Sequence, residues 1–202
     1  MTITRVSVDS AGNQANNGSG DPSISGDGRF VAFASRAPNL VPGDSNASLD
    51  IFVRDLVRNT TTRVSVDTAG NPGNGESYVP SISGDGRFVV FASDAANLVP
   101  GDTNGSRDIF VRDTRSNTTT RVSVDSAGNQ GNGISNPPLS KPSISADGRF
   151  VAFVSAATNL VPGDTNNSDD IFVRDLLTNT TTRVSVSGAG NLGNKDSSSP
   201  TI

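Results

Sequence analysis

The 202-residue sequence contains no cysteine, no histidine and no tryptophan. Without cysteine there is no disulfide framework and no thiolate metal site, and without histidine two common routes to acid–base catalysis and zinc binding are closed. No long hydrophobic run and no basic cluster occurs either, so membrane insertion is excluded and nucleic acid is an unfavourable partner. The absences therefore weigh against an enzyme and against a membrane or nucleic-acid-binding protein.

The residues that are abundant favour β-strands. Hydrophobic residues make up 33% of the chain and the net charge is only -4, so the composition is not that of a disordered protein. The apolar residues are mostly Val and Phe, with many Thr beside them, whereas Met and Tyr occur once each. Because β-branched and aromatic residues suit a pleated sheet, the composition predicts an all-β protein.

An internal repeat organises the whole chain. The phrase Arg-Val-Ser-Val begins at residues 5, 63, 121 and 183, which gives steps of 58, 58 and 62 residues. Between these phrases, three near-copies carry PSIS, DGRF, NLVPGD, DIFVRD and NTTT in the same order, and all nine Phe fall at repeat positions. Self-similarity at a fixed period is the signature of a repeat architecture.

Each repeat predicts four short antiparallel strands. In the first copy these are the PSIS segment, Arg29 to Ser35 after the Asp-Gly turn, Ile51 to Asp55, and the Thr-rich run that ends in Arg-Val-Ser-Val. The second strand is apolar on both faces, whereas the fourth alternates Val with polar residues. Burial that falls from inner to outer strands indicates propeller blades stacked around an axis.

Three blades are too few to close a ring, because propellers typically have four to eight. We therefore predict an incomplete ring. The repeat boundaries assign residues 1–10 to the outer strand of a preceding blade (with 4–9 as the strand itself), 11–67, 68–125 and 126–187 to three blades, and 188–202 to a linker and the start of a next blade.

The motifs also resemble a known family. SxDGRxVAFxS followed by DIFVRD is similar to the WD40-like propeller repeat of the TolB type, also called PD40, whose pattern is roughly SPDGxxIAFxS…DIYVxD. The resemblance covers essentially the whole chain and implies a β-propeller fold. The family's Pro is replaced by Gly26, Gly84 and Ala146, and the loop between the second and third strands is longer than the pattern implies.

That long loop carries oxygen side chains at alternate positions in every copy. The residues are Asp44, Asn46, Ser48, Asp50, Asp102, Asn104, Ser106, Asp108, Asp164, Asn166, Ser168 and Asp170. Calcium, a hard cation that takes six to eight oxygen ligands, suits such a spacing, so the loops predict one weakly bound Ca²⁺ per repeat. The glycine and the glutamate of the EF-hand pattern are missing, so this is a different loop. The alternative is that Asp, Asn, Ser and Gly only form turns.

Three other features are weaker candidates for a function. The Arg-Asp pairs at 54–55, 112–113 and 174–175 suit structural ion pairs or strand-end caps better than a catalytic pair, because a catalytic centre seldom appears three times in one chain. The Asn-Gly-rich linkers form one rim, but Tyr78 is the lone aromatic near them, which weakens a glycan-binding interpretation. The insertion from Ile134 to Lys141, with Pro137-Pro138, breaks the symmetry and is a candidate partner contact.

The function predicted from these features is a non-catalytic, calcium-binding propeller array that acts as a scaffold or protein-interaction module. It is expected to be secreted, at the cell surface or periplasmic, since weak calcium loops fill only where calcium is millimolar. The alternatives are a glycan-binding module and the supporting propeller of a secreted hydrolase or lyase. The exposed end faces predict further blades of a longer chain, or self-association as a dimer that completes a ring or as a filament.

Overall fold

The computed structural model describes residues 3–136, 140–193 and 195–202 and is all-β. Its strands are β1 Ser19–Ile24, β2 Phe30–Ser35, β3 Asp50–Asp55, β4 Thr60–Arg63, β5 Ser77–Ile82, β6 Phe88–Ser93, β7 Asp108–Asp113, β8 Thr118–Arg121, β9 Ser143–Ile144, β10 Phe150–Ser155, β11 Asp170–Asp175 and β12 Thr180–Arg183. They form three four-stranded antiparallel sheets in sequence order, called blades 1 to 3 here. The predicted fold of three four-stranded repeats in an incomplete ring is confirmed.

The described ranges contain strands, turns and bends but no helix, and hence no helix with the length and hydropathy needed to cross a membrane.

The hairpin turn between the first two strands is built by the Asp-Gly motif. In blade 2, Gly86 N donates to Ser83 O over 3.0 Å, and Gly86 has a φ of +72° that disfavours any residue with a side chain. A Cβ at Gly86 would also lie 2.1 Å from the Phe30 ring of blade 1, so this turn needs glycine for two reasons.

The fourth strand is shorter than the sequence indicates. It ends at Arg63, Arg121 and Arg183, so the last three residues of each Arg-Val-Ser-Val phrase lie outside it. The strand ends there because the next backbone N–H of β3 bonds to a side chain and not to a backbone carbonyl of the fourth strand: Ile51 N donates to Ser65 Oγ over 3.1 Å. The chain then bends away, and Val66 forms only an isolated bridge with Pro72.

The blades bury their faces against each other. Ala34, Ile51 and Val64 of blade 1 pack in one cluster with Phe91 and Phe110 of blade 2. The equivalent residues of blades 2 and 3 form a second cluster. Within each blade two Phe side chains on neighbouring strands stack, with ring centroids 5.8 to 6.1 Å apart. The core is therefore a series of similar layers between sheets.

Polar contacts tie each blade to the chain that precedes it. In blade 2, Arg112 Nη1 donates to Asp67 O over 2.9 Å, and Thr119 Oγ1 donates to Val66 O over 2.6 Å. Blade 3 repeats both contacts through Arg174 and Thr181. These bonds satisfy backbone carbonyls at the junction and attach each blade to the end of the preceding repeat.

The N-terminal residues occupy the same kind of junction on blade 1. Arg54 Nη1 donates to Asp9 O over 3.0 Å and Thr61 Oγ1 donates to Val8 O. No strand is assigned over residues 4–9, and Val8 forms an isolated bridge with Gln14. The predicted strand of a preceding blade and the predicted blade boundaries stay predictions.

The predicted insertion contact, Ile134 to Lys141, lies partly outside the described residues, since 137–139 are not among them.

Candidate functional site

The predicted calcium residues lie in the loop between the second and third strands, which runs from 36 to 49 in blade 1. Asp44 is in the loop and Asp50 is the first residue of β3. Asn46 Oδ1 accepts a hydrogen bond from Ser48 N over 3.1 Å, and Ala47 between them has a φ of +54°. This local turn brings the Asn46 amide toward the start of β3.

An arginine lies between the two carboxylates. Arg63 Nη1 is 3.0 Å from Asp44 Oδ1 and 3.3 Å from Asp50 Oδ2. Asp50 also accepts from Ser65 Oγ over 2.6 Å and from Asn46 Nδ2 over 3.0 Å. The structure thus brings together Asp44, Asn46 and Asp50, whereas the Ser48 hydroxyl bonds locally to Asn46 O.

The same arrangement, called the Arg–Asp–Asp cluster here, occurs in all three blades. Arg121 Nη1 is 3.0 Å from Asp102 and 3.2 Å from Asp108, and Arg183 Nη1 is 2.9 Å from Asp164 and 3.6 Å from Asp170. Asn104 and Asn166 donate to the strand-end aspartates as Asn46 does, and Ser106 N and Ser168 N donate to those asparagines. Three copies of one arrangement indicate a structural unit of the repeat.

The cluster is buried, and this shapes its electrostatics. The side chains of Arg63, Arg121 and Arg183 are about nine-tenths buried, and the strand-end aspartates are fully buried. Burial raises the pKa of Asp44, Asp102 and Asp164, and the neighbouring strand-end carboxylate adds to the rise while the arginine opposes it. Each cluster holds two carboxyl groups against one guanidinium.

This donor set does not fit a calcium ion. The guanidinium already lies at ion-pair distance from both carboxylates, and the Asn46 side chain directs its N–H donor, not its oxygen, at Asp50. A calcium ion takes six to eight oxygen ligands. A guanidinium beside the carboxylates repels a second cation and occupies the oxygens that calcium would need. Across the described ranges, no group of three or more acidic, His or Cys side chains is positioned to hold a metal. Calcium binding stays an untested prediction, and the geometry favours the alternative in which these residues build the loop.

Sequence reasoning missed the arginine and the serine that complete the cluster. The Arg-Val-Ser-Val phrase served as a marker of the repeat, with Arg63 and Ser65 assigned to a wet outer face. The arginine follows the loop aspartate by 19 residues in every copy, at 44 to 63, 102 to 121 and 164 to 183, but Arg29 and its equivalents precede the same aspartates by a constant 15 residues without pairing with them. A constant spacing therefore marks the repeat and does not identify the pair.

A second Arg–Asp system lies at the opposite end of each sheet. Arg29 binds Asp55 through two parallel bonds, Nε to Oδ1 at 3.0 Å and Nη2 to Oδ2 at 2.7 Å. Asp55 also accepts from Val57 N and Arg58 N, so it caps the turn after β3. The Arg29 bond, with these backbone donors, holds the pKa of Asp55 far below its usual value.

This arrangement separates the Arg-Asp pair that the sequence offered as a catalytic candidate. Asp55 turns to Arg29, whereas Arg54 donates to Thr61 Oγ1, Asn59 O and Asp9 O. Arg112 and Arg174 make the equivalent junction contacts, and Asp113 and Asp175 pair with Arg87 and Arg149. Both members of each pair have structural partners.

The long loops and the inter-blade linkers meet at one rim and are fixed to each other. Asn97 Nδ2 donates to Pro72 O over 2.9 Å and Asn97 Oδ1 accepts from Asn74 N over 2.9 Å. Asn39 and Asn159 make the same two bonds in the other blades. Beside them lie three equivalent grooves of about 450 to 500 Å³, one per blade. The rim is an ordered surface with a repeated shape.

Tyr78, the lone aromatic candidate for a glycan platform, is engaged within the protein. Its hydroxyl oxygen lies 2.8 Å from Glu76 Oε2 and 2.9 Å from Asp94 Oδ2, which share its one hydrogen, and the Arg107 guanidinium lies 4.2 Å from its ring centroid. Burial, with these two carboxylates, raises the pKa of the Tyr78 hydroxyl well above its usual value. A ring covered by arginine on one face is a poor sugar platform.

Comparison with known proteins gives a fold and no family. No protein-family model matches the chain, and no curated protein matches it. Among solved structures, the β-propeller domain of the Trilobed protease from Pyrococcus furiosus is 17% identical with a TM-score of 0.51, over 82% of this chain and 41% of that one. A prolyl endopeptidase structure is 16% identical with a TM-score of 0.50, over 88% and 23%.

TolB from Acinetobacter baumannii is 21% identical with a TM-score of 0.48, over 82% of this chain and 32% of that one. This chain therefore spans less than half the length of the structures it resembles. At these identities the similarity to the Pyrococcus furiosus domain shows a β-propeller fold and does not extend to activity.

Proposed function

We propose that this chain is a non-catalytic propeller array that serves as a scaffold or protein-interaction module. The observation that carries the proposal is the engagement of its buried charges. In each blade, a buried arginine pairs with the loop aspartate at one end of the sheet, and a partly exposed arginine pairs with the last aspartate of the third strand at the other end. A catalytic side chain must be able to contact substrate. Side chains that are paired with one another in the same ion pairs in all three blades are not free to do so.

The rim supports the interaction role. Its loops are long, rich in Asn, Gly and Ser, and pinned by the Asn39, Asn97 and Asn159 side chains. Loops held in place by a rigid sheet scaffold are a common binding surface. The three equivalent grooves beside these loops would present the same shape at each blade, which suits a partner that contacts several blades at once.

The competing interpretation is a propeller that contributes a hydrolase or lyase site. Incubation of the purified chain with peptide and acidic oligosaccharide substrates distinguishes the two, with heat-denatured chain as the matched control. The proposal expects no turnover above that control. Turnover that requires the folded chain and survives repurification would overturn it.

The sequence predicted a location outside the cytosol only through filled calcium loops, and the geometry of the clusters does not support those, so this location stays an untested prediction. It is tested separately by tagging the protein at its own gene and fractionating the cells. Recovery with periplasmic, surface or secreted markers supports this location. Recovery with cytosolic markers rejects the location and leaves the scaffold proposal unaffected.

A further inference from the structure

Each of the two junctions between blades contains a cavity, at the end of the sheets opposite the rim. The cavity between blades 1 and 2 has a volume of about 280 Å³, and the cavity between blades 2 and 3 has a volume of about 220 Å³. Both are lined by a Phe of the second strand, a Val and an Asp of the third strand and two Thr of the fourth strand. These residues are Phe30, Val53, Asp55, Thr60 and Thr62 in the first cavity, and Phe88, Val111, Asp113, Thr118 and Thr120 in the second.

The two cavities differ at two positions where the repeat itself changes. Thr114 of blade 2 lines the first cavity, whereas its equivalent Leu176 of blade 3 lines the second. Arg58 also lines the first cavity, and Ser116 holds the equivalent position in blade 2. The first cavity therefore has a hydroxyl group and a cation that the second cavity lacks.

The wall that blade 2 contributes to the first cavity contains a buried cation without a counter-ion. Arg112 is 6% exposed, and among the described residues its guanidinium forms no ion pair. Nη1 donates to Asp67 O and Thr119 Oγ1 over 2.9 and 3.0 Å, and Nη2 donates to Asn117 Oδ1 over 3.4 Å. A guanidinium has five N–H groups, so Nε and one Nη2 hydrogen stay available for a ligand.

The buried charge of Arg112 makes this cavity favourable for an anion. Burial lowers the pKa of the Arg112 guanidinium, and the charges of Asp67 and Asp113 oppose this only from a distance. A buried charge is costly unless it is paired. Arg174 makes the equivalent bonds in blade 3, but it is not among the residues that line the second cavity.

A second cation lies where the first cavity opens to solvent. The Arg58 side chain is 71% exposed, and its Nη1 lies 3.4 Å from Asp55 Oδ2. Asp55 is held by two shorter bonds from Arg29, so Arg58 is the weaker partner and is free to turn toward a ligand. Within the described ranges the Thr60 hydroxyl has no hydrogen-bond partner, whereas its equivalent in the second cavity bonds to Ser116.

The floor of the first cavity is apolar. It consists of Phe30, Val53 and Val64, which belong to the core cluster between blades 1 and 2. An apolar surface with a few convergent polar groups is typical of small-molecule sites, whose volumes begin at about 300 Å³. The cavity is therefore suited to a small ligand with one charged end and one apolar end.

We propose that the cavity between blades 1 and 2 binds a small carboxylic acid, with its carboxylate at Arg112 and Arg58 and its hydrocarbon body on the apolar floor. A guanidinium matches a carboxylate in geometry as well as in charge, because two parallel N–H groups reach its two oxygens. The second cavity does not bind this ligand, because Leu176 lines it and Arg174 does not. This site goes beyond the scaffold proposal and does not rest on it.

The first experiment titrates the chain with benzoate, a carboxylate on a compact apolar ring, and follows the chemical shifts of the backbone amides by nuclear magnetic resonance. We expect shifts confined to the junction of blades 1 and 2, with a Kd on the order of 10⁻³ M for so small a ligand. Benzamide lacks the charge and acetate lacks the ring, so each should bind about tenfold more weakly or worse. No benzoate binding up to the order of 10⁻² M, or equal binding of either control compound, would overturn the proposal.

The second experiment exchanges residues between the chain's own repeats. Arg58→Ser with Thr114→Leu gives the first cavity the residues of the second, and should weaken benzoate binding by about tenfold or more. The reverse pair, Ser116→Arg with Leu176→Thr, should add a second set of shifts between blades 2 and 3. Retained binding in the first double variant, or no new site in the second, contradicts the role assigned to these positions.

Arg115→Ser supplies the matched control. Arg115 is exposed and adjacent to Thr114 in the chain, but it does not line the cavity, and its loss changes the net charge as much as Arg58→Ser does. This variant should bind benzoate as the parent does. Equal loss of binding would mean that net charge is responsible, and would overturn the assignment of the cavity. Circular dichroism checks that every variant remains folded, and failure of benzoate to bind leaves the scaffold proposal unaffected.

Discussion

The middle blade and the end blades have nearly the same sequence but different surroundings. Val122 in blade 2 is fully buried, whereas its equivalent Val184 in blade 3 is 46% exposed. Likewise a Cβ at Gly86 or Gly148 would meet a Phe ring of the preceding blade, whereas a Cβ at Gly28 would have no neighbour within 4 Å. Burial in this protein is therefore set by the adjacent blade as much as by the residue, as expected for a nearly one-dimensional array.

The Arg–Asp–Asp clusters behave in the opposite way. The strand-end aspartates 50, 108 and 170 are all fully buried, in the middle blade and in the end blades alike. Their partners belong to the same repeat, so the burial of these aspartates changes little when a neighbouring blade is absent. The molecule thus contains two classes of interaction. Contacts inside a blade are the same in the middle blade and the end blades, whereas contacts between blades depend on whether a neighbouring blade is present.

The largest expected effect tests the class inside blades. Asp108→Ala leaves Arg121 with one carboxylate and strips Ser123 of its acceptor, and breaking a buried ion pair in this way costs about 3–5 kcal/mol of unfolding free energy. Asp170→Ala should cost a similar amount in blade 3. Urea unfolding followed by circular dichroism measures both. A cost in blade 3 far below that in blade 2 would erase the distinction between the two classes.

The control for this pair is Arg36→Ala, which removes an exposed partner of Glu76. Such a surface ion pair contributes no more than about 1 kcal/mol.

The next effect tests the class between blades. Ile82→Ala opens a cavity between blades 1 and 2 and should lower the unfolding free energy by about 2–5 kcal/mol. Ile24→Ala changes the same repeat position on an uncovered face, so its cost in dilute protein should stay below about 1 kcal/mol. Matched urea titrations of the two variants provide the comparison. Equal costs would show that burial by the neighbouring blade does not decide the energy.

A smaller effect concerns the pH dependence of stability, to which two kinds of aspartate contribute with opposite signs. The pKa of Asp113 is lowered by Arg87, so its stabilising contribution is present above the ordinary value of 3.8 and is lost as the pH falls below it. The pKa of Asp102 is raised by burial, so its contribution runs the other way and is lost as the pH rises through the raised pKa.

Substitution separates these two carboxyl groups. Asp113→Asn should flatten the acid loss of stability, and Asp102→Asn should steepen it, because the compensating group is removed. Unfolding midpoints between about pH 6 and pH 2 give the slopes. Parallel slopes for the two variants would contradict the opposite pKa shifts.

The smallest expected effect is that of calcium. Because a guanidinium lies between the carboxylates of each cluster, Ca²⁺ on the order of 10⁻³ M should leave the thermal midpoint of EDTA-treated protein unchanged. Arg121→Gln removes that charge from one blade, and only this variant should gain a calcium-dependent rise. A rise in the unsubstituted protein would support the ion per repeat that the loop spacing predicts.

The repeat made most of the fold predictable. The PSIS, DGRF and DIFVRD segments mark three of the four strands, and the apolar faces of Phe30 to Ser35 indicate stacking on both sides. The end of the fourth strand was not predictable from alternation, because Ser65 replaces a backbone partner with its side chain. The cluster was missed for a related reason: alternation places Arg63 on a polar face, and only the folded loop returns Asp44 to that face.

The junction contacts also bear on how the chain folds as it is synthesised. Arg112 and Thr119 bind backbone that precedes them by 45 and 53 residues, and Arg174 and Thr181 reach back 49 and 57. These four bonds reach chain that is synthesised earlier, so they need no later sequence, whereas the bond from Gly84 N of blade 2 to Ala146 O of blade 3 forms only once blade 3 is present. Domains and repeats that fold as they emerge expose unpaired edges for the shortest time. The backward direction of these bonds lets the array grow from its N-terminus one blade at a time.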